Sequence, residues 1–237
     1  MKFGDHFSDC LVCGAPLVYH QQSIRRACAL CGDIVETNVV CEAKHFVCDR
    51  CHSSGNAQLL PFLRASEEKD PIHLFLQVAQ LPFVHLHGPE HHSIVPAVLL
   101  TAYHNNGGTI DLERSLAQAL QRGYQVPGGS CGFWGVCGAA AGAGIYASIV
   151  TGSTPLNATV WNLPQHLTAR CLDRITALGG ARCCKRTARL AIETAVEFTR
   201  EHLGISLPLK QPRCTYSRQN RECIGSSCPF FDPSFQE

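Results

Sequence analysis

Two short runs, Cys10-Leu11-Val12-Cys13-Gly14 and Cys28-Ala29-Leu30-Cys31-Gly32, stand fourteen residues apart near the start of the chain. Each C-x-x-C-G unit turns tightly enough to aim two thiolates at one point, and its glycine permits the turn. Together they supply four sulfurs, the donor set of a closed tetrahedral Zn²⁺ site; iron in a rubredoxin-like site uses the same geometry. A chain that begins this way folds its first part around metal rather than around an apolar core. A second group follows at once: Cys41, His45, Cys48 and Cys51, with His52 adjacent. Cys51 and His52 are neighbours and reach one ion together only with difficulty, so His45 is the better fourth ligand. The expectation is one metal on Cys10, Cys13, Cys28 and Cys31 and a second on Cys41, His45, Cys48 and Cys51, giving one or two zinc ions. The spacing also accommodates ligands that interleave, as in cross-braced zinc modules.

Seven cysteines fall between Cys10 and Cys51, and eight more between Cys131 and Cys228. An odd total of 15 in a chain of 237 residues does not suit a small secreted disulfide scaffold. The opening Met1-Lys2-Phe3-Gly4-Asp5 has no apolar signal-peptide core. The expectation is a cytoplasmic protein whose cysteines are metal ligands, redox groups or nucleophiles. A formal net charge of +1 excludes binding dominated by phosphate neutralisation, so nucleic acid is not a favoured partner.

The cysteine-free segment 53–70 separates two parts of different character, so the chain divides into a Cys-rich zinc-binding module, residues 1–55, and an α-helical domain, residues 56–237. The predicted class is α+β, predominantly α: a small zinc-ribbon-like module followed by a helical, Cys-rich domain. Asp70 as N-cap with Pro71 in the first turn predicts a helix over 71–79. Further helices are predicted from Gly88-Pro89-Glu90 to Asn105, over 111–122, 165–178 and 183–202, with Pro96 bending the second. No Asp, Glu, Lys or Arg occurs between Arg122 and Arg170. Within that stretch, 132–150 is long enough to raise a membrane span. Its crowd of glycines and its lack of leucine favour a tightly packed helix lining a site instead.

Four features of the helical part carry chemistry. His85, His87, Glu90, His91 and His92 lie within eight residues, with Glu90 and His91 in the first turn of a helix, which suits metal binding or proton exchange. Cys131 and Cys137 flank a glycine-rich turn near a helix start, where a thiolate is favoured. Cys183 and Cys184 open a helix among Arg182, Lys185 and Arg186, which would also stabilise thiolates. Cys214, Cys223 and Cys228 lie in a loop-rich tail; one of the 183/184 pair with these three gives four ligands of irregular spacing, closer to an iron–sulfur cluster than to a zinc knuckle. Structural zinc or ordinary buried thiols are the alternatives. The candidate catalytic groups are Cys131, Cys184, Glu90, His91 and His92. The candidate cofactor ligands are Cys183, Cys214, Cys223, Cys228 and Cys137. Cys171 reads as a core thiol.

His45-Phe46-Val47-Cys48-Asp49-Arg50-Cys51-His52, Gly88-Pro89-Glu90-His91-His92, Cys131-Gly132-Phe133-Trp134-Gly135-Val136-Cys137-Gly138-Ala139, Arg182-Cys183-Cys184-Lys185-Arg186 and Cys228-Pro229-Phe230 together resemble a cysteine-rich family of unknown function, DUF5714, of anaerobic bacteria and methanogenic archaea. The resemblance runs from Cys28 onward and assigns no catalytic residues. It implies anaerobic iron–sulfur chemistry in the company of redox or radical-SAM partner proteins. The Cys10–Cys31 knuckles look like an N-terminal addition.

Three functions fit these features. The first is a redox or sulfur-handling enzyme, with Cys131 or Cys184 as nucleophile and His91 or His92 as proton carrier. The second is a zinc-ribbon adaptor with a passive helical core. The third is a carrier that delivers metal, sulfur or a cluster to a partner enzyme. The chain has no P-loop, dinucleotide-binding glycine motif, G-x-S-x-G elbow or H-E-x-x-H helix.

Overall fold

A computed structural model describes residues 9–235. It is mainly helical, with one two-stranded antiparallel sheet near the N-terminus. Strand β1 (Leu17–Ala27) pairs with β2 (Ile34–Cys41) from Leu17↔Cys41 to Tyr19↔Val39 and again from Ile24↔Thr37 to Ala27↔Ile34. Between these two registers His20 to Ser23 face only Asn38, an irregularity that bends the hairpin. The Asn38 amide holds the bend by donating to the carbonyls of His20 (2.9 Å) and Gln21 (3.4 Å). Most of β1 is exposed, so the hairpin has no apolar face of its own to bury.

A single-turn helix α1 (Asp49–His52) and α2 (Leu59–Arg64) lead into the helical domain. Helix α3 (Pro71–Ala79) starts where Asp70 and Pro71 predict: Asp70 Oδ1 accepts the N–H groups of Ile72 (2.8 Å) and His73 (3.1 Å). Helix α4 (Glu90–Asn105) is buried along almost its whole length and packs against α3, α5 (Leu112–Tyr124), α7 (Gly138–Thr151) and α9 (Cys184–Leu203). Beyond its polar first turn α4 is apolar on nearly every side, and such a helix is stable at the centre of a bundle. Pro96 lies inside α4 and cannot donate to the carbonyl of His92, and Gly142 of α7 packs against both groups.

The segment 132–150 is not one continuous helix but is divided between the end of α6 (Ser130–Phe133) and most of α7. After α6 the chain takes a positive φ at Gly135 and an extended φ/ψ at Cys137 before α7 begins. No helix among the described residues is long and apolar enough to cross a membrane. Helix α8 (Asn162–Leu178) closes the bundle on α7 and α9, with Arg170 and Arg174 paired to Glu193, Glu197 and Glu201 of α9.

Beyond α9 the tail runs back over α3. Asp70 Oδ2, the oxygen not used in capping, accepts the Lys210 N–H at 2.6 Å, and the Tyr216 hydroxyl donates to the Ala79 carbonyl at 3.3 Å. Asp70 thus joins the start of α3 to the tail. Asp70→Ala removes the cap, worth about 0.5–2 kcal/mol, and orphans the Lys210 N–H at a further ~1 kcal/mol. Urea denaturation should show a loss of roughly 1.5–3 kcal/mol. Asp111→Ala, which removes a cap with no second partner, should lose only the cap contribution.

Candidate metal centres and a buried histidine site

At the N-terminus the ligand atoms of two groups converge: Cys10, Cys13, Cys41 and His45 in one, Cys28, Cys31, Cys48 and Cys51 in the other, each set within 4.8 Å. Every cysteine is free of disulfide bonds. The Cys13–Cys41 and Cys31–Cys48 sulfur pairs lie 3.9 and 3.8 Å apart. A tetrahedral ion with metal–sulfur bonds of about 2.3 Å needs edges of about 3.8 Å. His45 Nδ1 lies 3.2 Å from Cys13 Sγ and 3.7 Å from Cys41 Sγ. The donor sets and spacings therefore fit a tetrahedral ion such as zinc in each centre.

Backbone geometry explains the convergence. In both knuckles the glycine adopts positive φ (71° at Gly14, 78° at Gly32) and donates to the first cysteine's carbonyl, Cys10 at 2.8 Å and Cys28 at 2.9 Å. Val12 N–H points at Cys10 Sγ, His45 N–H at Cys41 Sγ and Cys48 N–H at Cys28 Sγ. Burial pushes the Cys28 thiol up, but the N–H groups of Cys48, Cys31 and Leu30 outweigh it and bring it down to about 6. Cys51 in the same centre is pushed up to about 12 by burial and by its neighbouring thiols.

The arrangement corrects the expected pairing of knuckle with knuckle. Strand β1 carries the two knuckles to its opposite ends, so they cannot share an ion. The segment after β2 serves both: Cys41 pairs with Leu17 beside the first knuckle, and Phe46 accepts the Ala29 N–H (2.7 Å) within the second. His45 accordingly joins Cys10 and Cys13, not Cys48 and Cys51.

His52, left out of both centres, forms an ion pair with Glu90: Nδ1 to Oε2 is 2.8 Å. Glu90 has a fully buried side chain, and its other oxygen accepts the His85 N–H at 3.0 Å. Burial alone would raise the Glu90 carboxyl, but the charge and contact of His52 hold it well below the usual carboxylate range. Burial would likewise lower His52, and the Glu90 charge raises it instead. Gly88 makes the approach possible, because a Cβ there would lie 2.1 Å from His52 Cε1 and 2.2 Å from Glu90 Oε2.

Burial drives His87, His91 and His92 toward the neutral form, with tautomers set by their partners. His91, driven far below its usual pKa by burial and by Lys185, donates from Nδ1 to the Gly88 carbonyl (3.1 Å) and accepts from Lys185 Nζ at Nε2 (3.1 Å). His87, lowered to about 4 by burial and by Arg182, donates from Nε2 to Asn220 Oδ1 (3.1 Å), and its Nδ1 faces the Cys184 N–H (3.5 Å). His92 donates from Nδ1 to the Val126 carbonyl at 2.9 Å. Its Nε2 faces the start of α7, where a Cβ on Gly138 would come within 2.2 Å. The first turns of α4, α7 and α9 therefore meet at these histidines.

On the far side of Lys185 lies a small cavity of about 30 Å³, walled by Cys183, Cys214, Cys223 and Cys228. Lys185, Arg186 and Arg189 line the same pocket and are buried. Leu76, Phe230 and Phe231 make its apolar side. No three of the pocket sulfurs lie within 4.8 Å of one another, unlike those of the N-terminal centres. Lys185 also donates to the His85 carbonyl (3.0 Å) and sits over the Tyr216 ring (5.3 Å); burial brings its pKa down to about 8.

The remaining candidates separate. Cys137 caps α7, is half-buried, and does not line the pocket. Cys184 turns away from the pocket toward Gly88 and Glu90, and burial pushes it up to about 12. The helix start and the neighbouring cations do not stabilise a thiolate there, contrary to the expectation from sequence. Cys131 is exposed on α6, and its thiol is also raised, by partial burial and by Cys137. Cys171 is fully buried between α8 and α9, with Sγ 3.7 Å from the Ala191 carbonyl. Sequence reasoning makes Lys185 a neighbour of thiolates and misses its bond to His91. It also misses Asn220, whose only sequence signal is its place between two tail cysteines.

Against known proteins, one family model matches, the "Family of unknown function (DUF5714)", over residues 60–231. No curated protein and no solved structure matches the chain. The match begins later than the resemblance read from the sequence, so the His45–His52 motif lies outside it.

The ligand pairing is testable by metal analysis of double variants. Cys13→Ser with His45→Ala should cost one bound ion, because both changes fall in one centre. Cys13→Ser with Cys31→Ser should cost two. Knuckle-with-knuckle pairing requires the reverse result.

Proposed function

Because the chain belongs to the DUF5714 family, whose matched segment contains the pocket and the His85–His92 cluster, we propose that it is a metalloprotein of redox chemistry. In this reading the N-terminal module holds two structural zinc ions, and Cys183, Cys214, Cys223 and Cys228 hold an iron–sulfur cluster. The observation that carries it is the pocket: four cysteines around one cavity, lined by three buried cations. A multi-iron cluster spreads its thiolate ligands further apart than one ion does and leaves the assembly with net negative charge. Lys185, Arg186 and Arg189 oppose that charge where water cannot.

When bound, the cluster supplies one-electron chemistry. The protein's part is to seat it, to keep water out with Leu76, Phe230 and Phe231, and to manage a proton beside it. Lys185 holds that proton against His91 Nε2, and Glu90 with His52 sets the charge behind His91. Electrons would come from or pass to a partner protein of redox or radical-SAM type. The sulfur-handling version is favoured by one observation, the exposure of Cys131, which makes it a better nucleophile candidate than Cys184. The adaptor version asks the helical domain to be passive, which leaves the pocket's cations and cysteines without a purpose.

Anaerobic purification with zinc, iron and acid-labile sulfide analysis tests this reading. The expected protein is brown, with zinc, iron and sulfide all bound. Cys223→Ser should lose iron and sulfide and keep its zinc. A colourless wild-type protein that binds zinc alone would sink the cluster.

A further inference from the structure

Four side chains of the N-terminal module reach into the helical domain, and three of them adjoin a metal ligand in sequence. Asp9, next to Cys10, pairs with Arg221 at 3.1 Å. Asp49, next to Cys48, accepts the Gly128 N–H at 2.7 Å through Oδ2. His52, next to Cys51, pairs with Glu90 at 2.8 Å. The fourth, Tyr19 on β1, accepts from Arg182 Nη1 at 2.7 Å and packs its ring against Phe133, centroids 6.3 Å apart.

The landing points are not scattered. Arg221 lies two residues before Cys223, and Arg182 directly before Cys183. Gly128 opens the turn into Ser130 and Cys131, and Glu90 begins α4. Each tether therefore ends on one of the four segments that frame the cysteine pocket and the histidines. The helix that supplies two tethers, α1, is a single turn, and no residue in it is buried. It has no apolar packing to hold it, and isolated helices of that length do not persist in water. What fixes it is that Cys48 and Cys51 both belong to the second metal centre.

We propose that the N-terminal metal centres act as a positioning device for the buried site, with His52 as its principal positioning residue. Metal on Cys28, Cys31, Cys48 and Cys51 holds α1 in shape, α1 presents His52 to Glu90, and Glu90 in turn fixes the start of α4 against Cys184 and Lys185 at the start of α9. Loss of metal frees His52, leaves the Glu90 carboxylate buried without its partner, and opens the contact between the first turns of α4 and α9. The proposal rests on metal binding by the N-terminal module and not on what the cysteine pocket holds.

The test is residue-resolved thiol labelling of the full chain as purified, using a maleimide pulse and peptide mass spectrometry, with zinc and iron measured in parallel. Cys184 reports on the junction, and Cys171, enclosed between α8 and α9, reports on the bundle. Stripping the N-terminal zinc with a chelator should raise the labelling rate of Cys184 tenfold or more and leave Cys171 unchanged. His52→Ala should do the same with zinc content at the wild-type level, since all eight ligands remain. His52→Gln, which keeps a hydrogen-bond donor for Glu90, should restore most of the protection. Unchanged Cys184 labelling after zinc is removed overturns the proposal. So does a parallel rise at Cys171, which would make the module a general stabiliser of the fold. Because iron content does not enter the readout, an empty cysteine pocket would refute the cluster while leaving this result standing.

Discussion

A carboxylate with no exposure to water sits at the N-terminus of the helix around which the whole domain packs. Burying a charge is costly unless it is paired and hydrogen-bonded, and breaking one partner of a buried pair typically costs about 3–5 kcal/mol. Glu90 meets that requirement with His52, the His85 N–H and the favourable end of the α4 dipole. Each provision constrains something else. His52 needs α1 in place, and the approach of its ring requires Gly88 to lack a side chain. The remaining neighbour, His91, stays neutral and passes the polar chain on to Lys185 at the pocket wall.

The helical boundaries were legible because local chemistry sets them. Asp70-Pro71 and Asp111 cap α3 and α5 through their own side chains, so a few adjacent residues carry the whole signal. The α+β class with a small ribbon-like N-terminal module was legible too, but the positions of the hairpin's strands were not. Strand β1 is mostly exposed, so it lacks the apolar alternation by which a half-buried strand announces itself. The ligand pairing failed for a related reason: spacing along the chain says which sulfurs bite together but not where a strand between two bites will carry them. Residues 132–150 read as one helix, but Gly135 and Cys137 interrupt it, a break that depends on local backbone conformation.

The buried site divides in the same way. The residue types were visible, since four imidazoles and a carboxylate in eight positions are hard to miss. Their protonation and orientation were not, because the groups that fix them lie far along the chain. Lys185 sets the tautomer of His91, and Asn220 that of His87, across separations of 94 and 133 residues. Cys183 and Cys184, identical and adjacent, take opposite surroundings as soon as the helix begins. One faces the pocket and the other faces Gly88 and Glu90.

The interleaving of the N-terminal ligands also governs when a centre comes into being during synthesis. A growing chain that has emerged as far as Cys31 exposes four thiols, two from each centre, and completes neither. The first tetrahedral set closes only with His45 and the second only with Cys51. Until then each knuckle is a two-sulfur chelate with weak hold on an ion and open positions for a competing one. A complete four-ligand set for an ion therefore exists only in the finished hairpin with its returning segment.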